Sequence, residues 1–115
     1  MSTIAALPEQ HEICQRYGSP LRVPDQSEAV GIALETLHFA PLNALRHPPE
    51  HGTSGWYIWG GESSDADGFF KPVHISHLKE VAPNLMPYMA LAPGWRVLLA
   101  AGHVDVWFDE QLLNI

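Results

Sequence analysis

Trp95-Arg96-Val97-Leu98-Leu99-Ala100-Ala101-Gly102-His103-Val104-Asp105-Val106-Trp107-Phe108-Asp109 is the stretch that decides the fold class. An extended chain alternates its side chains with a period of two. Trp95, Val97 and Leu99 therefore share one face of a first strand. Ala101-Gly102-His103 is a tight connection, and Val104 to Asp109 returns as the antiparallel partner. On this second strand Val104, Val106 and Phe108 face one way. Asp105, Trp107 and Asp109 face the other, which sets a large aromatic between two carboxylates on an otherwise polar face.

Upstream, the same β-prone chemistry recurs. Gly55-Trp56-Tyr57-Ile58-Trp59-Gly60-Gly61 reads as a strand over Trp56–Trp59 that the two glycines bend or end. Glu62-Ser63-Ser64-Asp65-Ala66-Asp67-Gly68 is an acidic, turn-rich loop. Phe69 to Ile75 is the next strand, and Pro72 inside it points to a sheet edge or a bulge. Ser76 suits the cap of a helix from His77 through Val81, and Pro83 breaks or restarts it. Asn84 to Met89 is a further short helical turn.

The first half is less regular. Pro8 to Tyr17 reads as a helix, with Pro8 and Glu9 suited to its start, Arg16 to its end, and Gly18 and Pro20 stopping it. Ser19 to Gln26 is an extended linker. Val30 to Phe39 fits helical spacing and strand alternation alike, and Gly31 favours a strand or a junction between helix and strand. Pro41 to Ser54, with three prolines and the run Arg46-His47-Pro48-Pro49-Glu50-His51-Gly52, reads as a surface loop. The sum is a single α+β domain over residues 1–115. It is a mostly antiparallel sheet of about four to six strands, with an N-terminal helix and a short helix after Ile75.

Composition narrows the function. Thirteen acidic against six basic residues give a net charge of −7, which leaves no basic face for nucleic acid. The acidic balance serves solubility, or it complements a basic protein surface. Cys14 stands alone, so no internal disulfide forms and nothing points to an oxidising compartment. A buried or half-buried helical thiol is its plain reading. Met1 to Pro8 has neither a basic start nor a long apolar run, and no stretch approaches the roughly 20 apolar residues of a membrane span. A cytoplasmic location away from membranes is expected.

Catalytic patterns are missing. No serine sits in a Gly-x-Ser-x-Gly turn, Gly60-Gly61 leads to no phosphate loop, and Asp65 with Asp67 is only a fragment of a calcium loop. An enzyme is not expected, nor a cofactor. Seven histidines raise a metal alternative, with His74, His77 and His103 as the ligands of a small metal-binding or hydrolytic site. Surface histidines are the simpler account. The tryptophans are either core residues or interface anchors. On the second view Trp59, Glu62, Asp65, Asp67, Asp105, Trp107 and Asp109 form a partner-binding face. Self-association through the aromatic face is a third alternative.

Six segments, taken in order, carry a family resemblance. They are Val30-Gly31-Ile32-Ala33, Leu45-Arg46-His47-Pro48-Pro49, Gly55 to Glu62, Phe69-Phe70-Lys71-Pro72-Val73-His74-Ile75-Ser76-His77-Leu78, Pro93-Gly94-Trp95-Arg96 and Asp105 to Asp109. This series resembles the immunity protein 33 family, over roughly residues 12 to 115. The resemblance implies a bacterial domain that keeps company with polymorphic toxin systems and inhibits a cognate protein toxin. It carries over no catalytic or binding residue.

Overall fold

Alternation and turn chemistry produce six strands and two helices in the computed structural model, which describes residues 6–64 and 66–114. Asp65, and Ile115 of the apolar tail, lie outside the described residues. In chain order the elements are α1 (Pro8–Tyr17), β1 (Ala29–Ile32), β2 (Leu42–Arg46), β3 (Thr53–Gly60), β4 (Lys71–His74), α2 (Ile75–Val81), β5 (Trp95–Ala100) and β6 (His103–Phe108). Short 3-10 turns cover Leu34–Thr36, Pro83–Tyr88 and Glu110–Leu113.

The strands form one sheet in the order β4-β1-β3-β2-β5-β6. Every neighbouring pair is antiparallel except β1 with β3. The α+β reading therefore holds, at six strands. β5 and β6 pair from Trp95 with Phe108 to Ala100 with His103, as their alternation predicts. Pro72 lies in β4, which is indeed an edge strand.

Two readings need correction. Pro41 to Ser54 is not one loop, because Leu42–Arg46 is the central strand β2, bonded to β3 and β5. Its prolines, Pro41, Pro48 and Pro49, flank the strand instead of interrupting it, so all its N–H groups remain available. The helix after β4 begins at Ile75, and no side chain caps it, so Ser76 is inside the first turn. The ambiguous Val30–Phe39 stretch resolves into β1 followed by the Leu34–Thr36 turn.

Helices cover one face of the sheet. Val30, Ile32, Ala44, Trp56, Ile58 and Val97 point toward Ile13 and Cys14 of α1, Ile75 and Leu78 of α2, and Leu85, Met89 and Leu91 beyond it. Fully burying an aliphatic side chain is worth about 1.5–3 kcal/mol, so this layer is the main source of stability. Trp56 is 1% exposed and its indole N–H donates to the Met89 carbonyl at 3.0 Å.

A cation lies in the same layer. Arg46 is 3% exposed. Its Nε donates to the Ser54 carbonyl (2.9 Å), and Nη1 donates to the carbonyls of Arg22 (2.7 Å) and Leu91 (2.8 Å). The guanidinium lies 5.6 Å from the Trp56 ring centre. Burial pushes its pKa down to about 10, against the favourable charge of Glu28. Arg46 thus ties β2 to β3, to the Ser19–Gln26 linker and to the segment before β5.

Cys14 is buried and its Sγ lies 3.4 Å from the Ala90 carbonyl. Desolvation raises its pKa, with Ser19 and Arg46 opposing. A thiol held neutral in this way is inert, as the plain reading expects.

Candidate functional site: the helix-free face of the sheet

Side chains opposite one another across a sheet share a face. On the face away from the helices, strand register lines them into two rows. Trp59, Asn43, Leu98 and Asp105 form one row across β3, β2, β5 and β6. Tyr57, Leu45, Arg96 and Trp107 form the next, and Gly31 and Pro72 extend it through β1 to β4.

The β3 end of this face is an aromatic cleft of about 430 Å³, lined by Leu45, His47, Tyr57, Trp59, Ser63, Ser64 and Phe70. The Phe70 ring meets Tyr57 edge-on at 5.2 Å and Trp59 at 6.1 Å. Trp59 is consequently only 8% exposed, although no helix covers it. Glycine at position 31 is a packing requirement, since a Cβ there would sit 2.8 Å from the Tyr57 ring. His47 donates through Nδ1 to the Leu112 carbonyl at 2.9 Å, which ties the cleft's lower wall to the C-terminal turn and accompanies the burial of Leu112.

The β6 end is more open. Trp107 is 38% exposed, and Arg96 lies 5.4 Å from its ring centre. Arg96 also donates to Asp109 at 3.2 Å, so the cation bridges the aromatic and the carboxylate. Asp109 accepts from the Gln111 N–H at 3.1 Å and thereby starts the C-terminal turn. Its charge is largely spent within the fold. Asp105 is exposed and accepts from His103 at 2.9 Å.

The sequence-predicted face thus has two ends. Asp105 and Trp107 lie on β6 with Asp109 just after it, whereas Trp59 lies near the end of β3 and Glu62 and Asp67 are exposed in the stretch that follows. Asp65 belongs to the same loop but lies outside the described residues. Trp59 and Asp105 are three strand spacings apart, about 14 Å, within reach of one protein partner. Tyr57, Leu45, Leu98 and Arg96 fill the space between and were not predicted. Their place was hidden because β2 was read as a loop. The signal available was the proline-free run Leu42–Arg46 between Pro41 and Pro48.

The histidines do not converge. The rings of His74 and His77 are 6.2 Å apart at the β4–α2 junction. His103 lies on β6, at the other edge of the sheet, five strand spacings or about 24 Å away. Among the described residues no three His, Cys, Asp or Glu side chains are grouped to hold a metal ion. Nor is any helix among them long and apolar enough to cross a membrane.

A family model described as the Imm33-like domain matches residues 9–109. No curated protein and no solved structure matches the chain.

Proposed function

Because the chain belongs to the Imm33-like domain family, we propose that it is an immunity protein that binds and neutralises a cognate protein toxin through the helix-free face of its sheet. The observation that carries this reading is the exposed Trp107 beside Asp105, on a face that also bears the aromatic cleft. Tryptophan, tyrosine and arginine are the usual anchors of protein interfaces. Apolar side chains on both faces of a sheet need cover on both, and here helices cover only one.

Charge supplies the second element. The chain carries −7 overall, and Glu62, Asp67 and Asp105 are exposed carboxylates, with Asp105 on this face. A toxin that acts on nucleic acid is basic where it holds phosphate, and these carboxylates take the phosphates' place. Rim charges of this kind accelerate encounter, while the apolar centre slows dissociation. Inhibition is then occlusion, and the inhibitor needs no chemistry of its own.

The test is rescue. The protein retained one-to-one by this chain from a lysate of its own strain is expressed alone, where it should arrest growth. Co-expression of this chain should restore growth, and Trp107→Ala combined with Asp105→Lys should not. Asp105→Lys alone should slow association most at low salt. Undiminished rescue by the double variant, with unchanged salt dependence, would remove this face from the mechanism.

A further inference from the structure

We propose that the outer edge of β6 pairs with β6 of a second copy of this chain, joining two sheets into one across a two-fold axis. Two observations lead there: the two edges of the sheet are built differently, and β6 is complementary to itself.

The β4 edge is blocked. The Ile75 N–H donates to the Glu28 carbonyl, which fixes the bonding parity of β4 against β1. Val73 and Lys71 then bond inward, leaving Pro72 and His74 to face outward. Pro72 has no N–H to offer, Lys71 adds an exposed charge, and α2 begins at the next residue after His74. Proline, lysine and brevity are the usual guards against edge pairing.

The β6 edge carries none of these guards. The Asp109 N–H donates inward to the Gly94 carbonyl at 2.7 Å, so His103, Asp105 and Trp107 bond to β5. Val104, Val106 and Phe108 therefore turn their N–H and C=O groups outward. Among the described residues no strand lies beyond β6. Val104 is 46% exposed and Phe108 48%. Phe108 is also held in place, because its ring packs on Trp95 at 5.7 Å and over Gly94, where a Cβ would collide with it.

Three outward residues spaced by two can pair with themselves. With the axis at Val106, Val104 lies opposite Phe108 of the second copy, and Val106 opposite Val106. Three such pairs exchange about six hydrogen bonds, two each. On the helix side the contact is apolar throughout. On the other face Asp105 falls opposite Trp107 of the second copy, and His103 opposite its Asp109.

Charge selects this register over its neighbours. Moving the axis to Asp105 sets two Asp105 carboxylates against each other. Moving it to Trp107 sets Asp105 against Asp109. Like charges directly opposite are destabilising, and of these three registers the Val106 axis alone avoids them, setting an imidazole against a carboxylate. The strand pair is small, so the dimer should dissociate on dilution. Its helix-free faces lie on one side and remain open to another partner.

The mass of the full chain, measured by light scattering over a dilution series, tests the proposal. It should rise from 12.7 kDa toward twice that value with concentration. Val104→Pro removes an outward N–H and copies the β4 guard. It should raise the dimer dissociation constant about tenfold or more while leaving the melting temperature of the dilute protein unchanged. Asp105→Cys and Trp107→Cys, mixed as separate single variants, report the register. They should cross-link to each other faster than either does to itself. A monomer at every concentration would overturn the proposal. So would a dimer that ignores Val104→Pro, or one whose cysteines cross-link only like with like. An extended peptide of another protein that takes the edge while this chain stays monomeric would overturn it too.

Discussion

Trp56 and Trp59 stand three residues apart on β3 and face opposite ways, yet both are almost fully buried. Helices and the Met89 carbonyl seal Trp56. Trp59 is buried by Phe70, which reaches it from the loop before β4. Depth of burial is therefore a poor guide to role on this sheet. What covers a side chain decides how much stability it carries and how free its surroundings are to meet a partner.

The largest expected effect sharpens that contrast. Trp56→Ala should cost about 3–5 kcal/mol in urea denaturation, because the helical layer cannot close the cavity. Trp59→Ala should cost less, since a loop can settle into the space. Equal losses would mean that the two faces are equally rigid.

Arg46→Met comes next, at about 2–4 kcal/mol. It leaves the carbonyls of Ser54, Arg22 and Leu91 without their donor, and the relief of a desolvated cation only partly offsets this. Lowered to about 10 from the ordinary guanidinium value, Arg46 holds its proton less tightly when folded. The unfolded chain binds more protons between those values, so this group's contribution to stability rises with pH there. Stability measured against pH should lose that rise in Arg46→Met. A loss below about 1 kcal/mol would mean that water replaces the guanidinium.

Gly31→Ala should cost about 1–3 kcal/mol by displacing the Tyr57 ring, and it should open the aromatic cleft on the helix-free face. A neutral result would show that this face yields where the helical face does not.

Alkaline pH gives a smaller effect of opposite sign to that of Arg46. Burial raises the pKa of both Cys14 and Tyr88. The unfolded chain loses these protons first, so stability falls as pH passes the ordinary thiol value and then the ordinary phenol value. Cys14→Ala should flatten the first part of that fall. In the native protein the thiol should react with a labelling reagent only as fast as the chain opens.

Trp107→Ala should change stability least, by about 0.5 kcal/mol or less, and partner affinity most. A large loss of stability would instead make Trp107 part of the scaffold.

The legible parts of the fold were those in which a local pattern is complete within a few residues. Pro8, Arg16 and Gly18 bound α1, alternation aligned β5 with β6, and Pro72 marked an edge. β2 was illegible because its polar residues do not alternate with its apolar ones: Asn43 lies on one face and Arg46 on the other. Its Arg46 even faces inward, where a charged residue is least expected. With β2 unseen, Trp59 and Trp107 had nothing to join them, and the row through Tyr57, Leu45 and Arg96 went unread.

By itself, then, the sequence determined α1, the cores of β3 to β6 and the side of β6 on which Trp107 lies, because these follow from steric preferences acting over a few residues. Tertiary structure alone decided the strand order, the parallel pairing of β1 with β3, and the burial of Arg46 among three carbonyls. It also decided which face went without helices. These are set by contacts between residues distant in the chain, and periodicity holds no record of which strand will lie beside which.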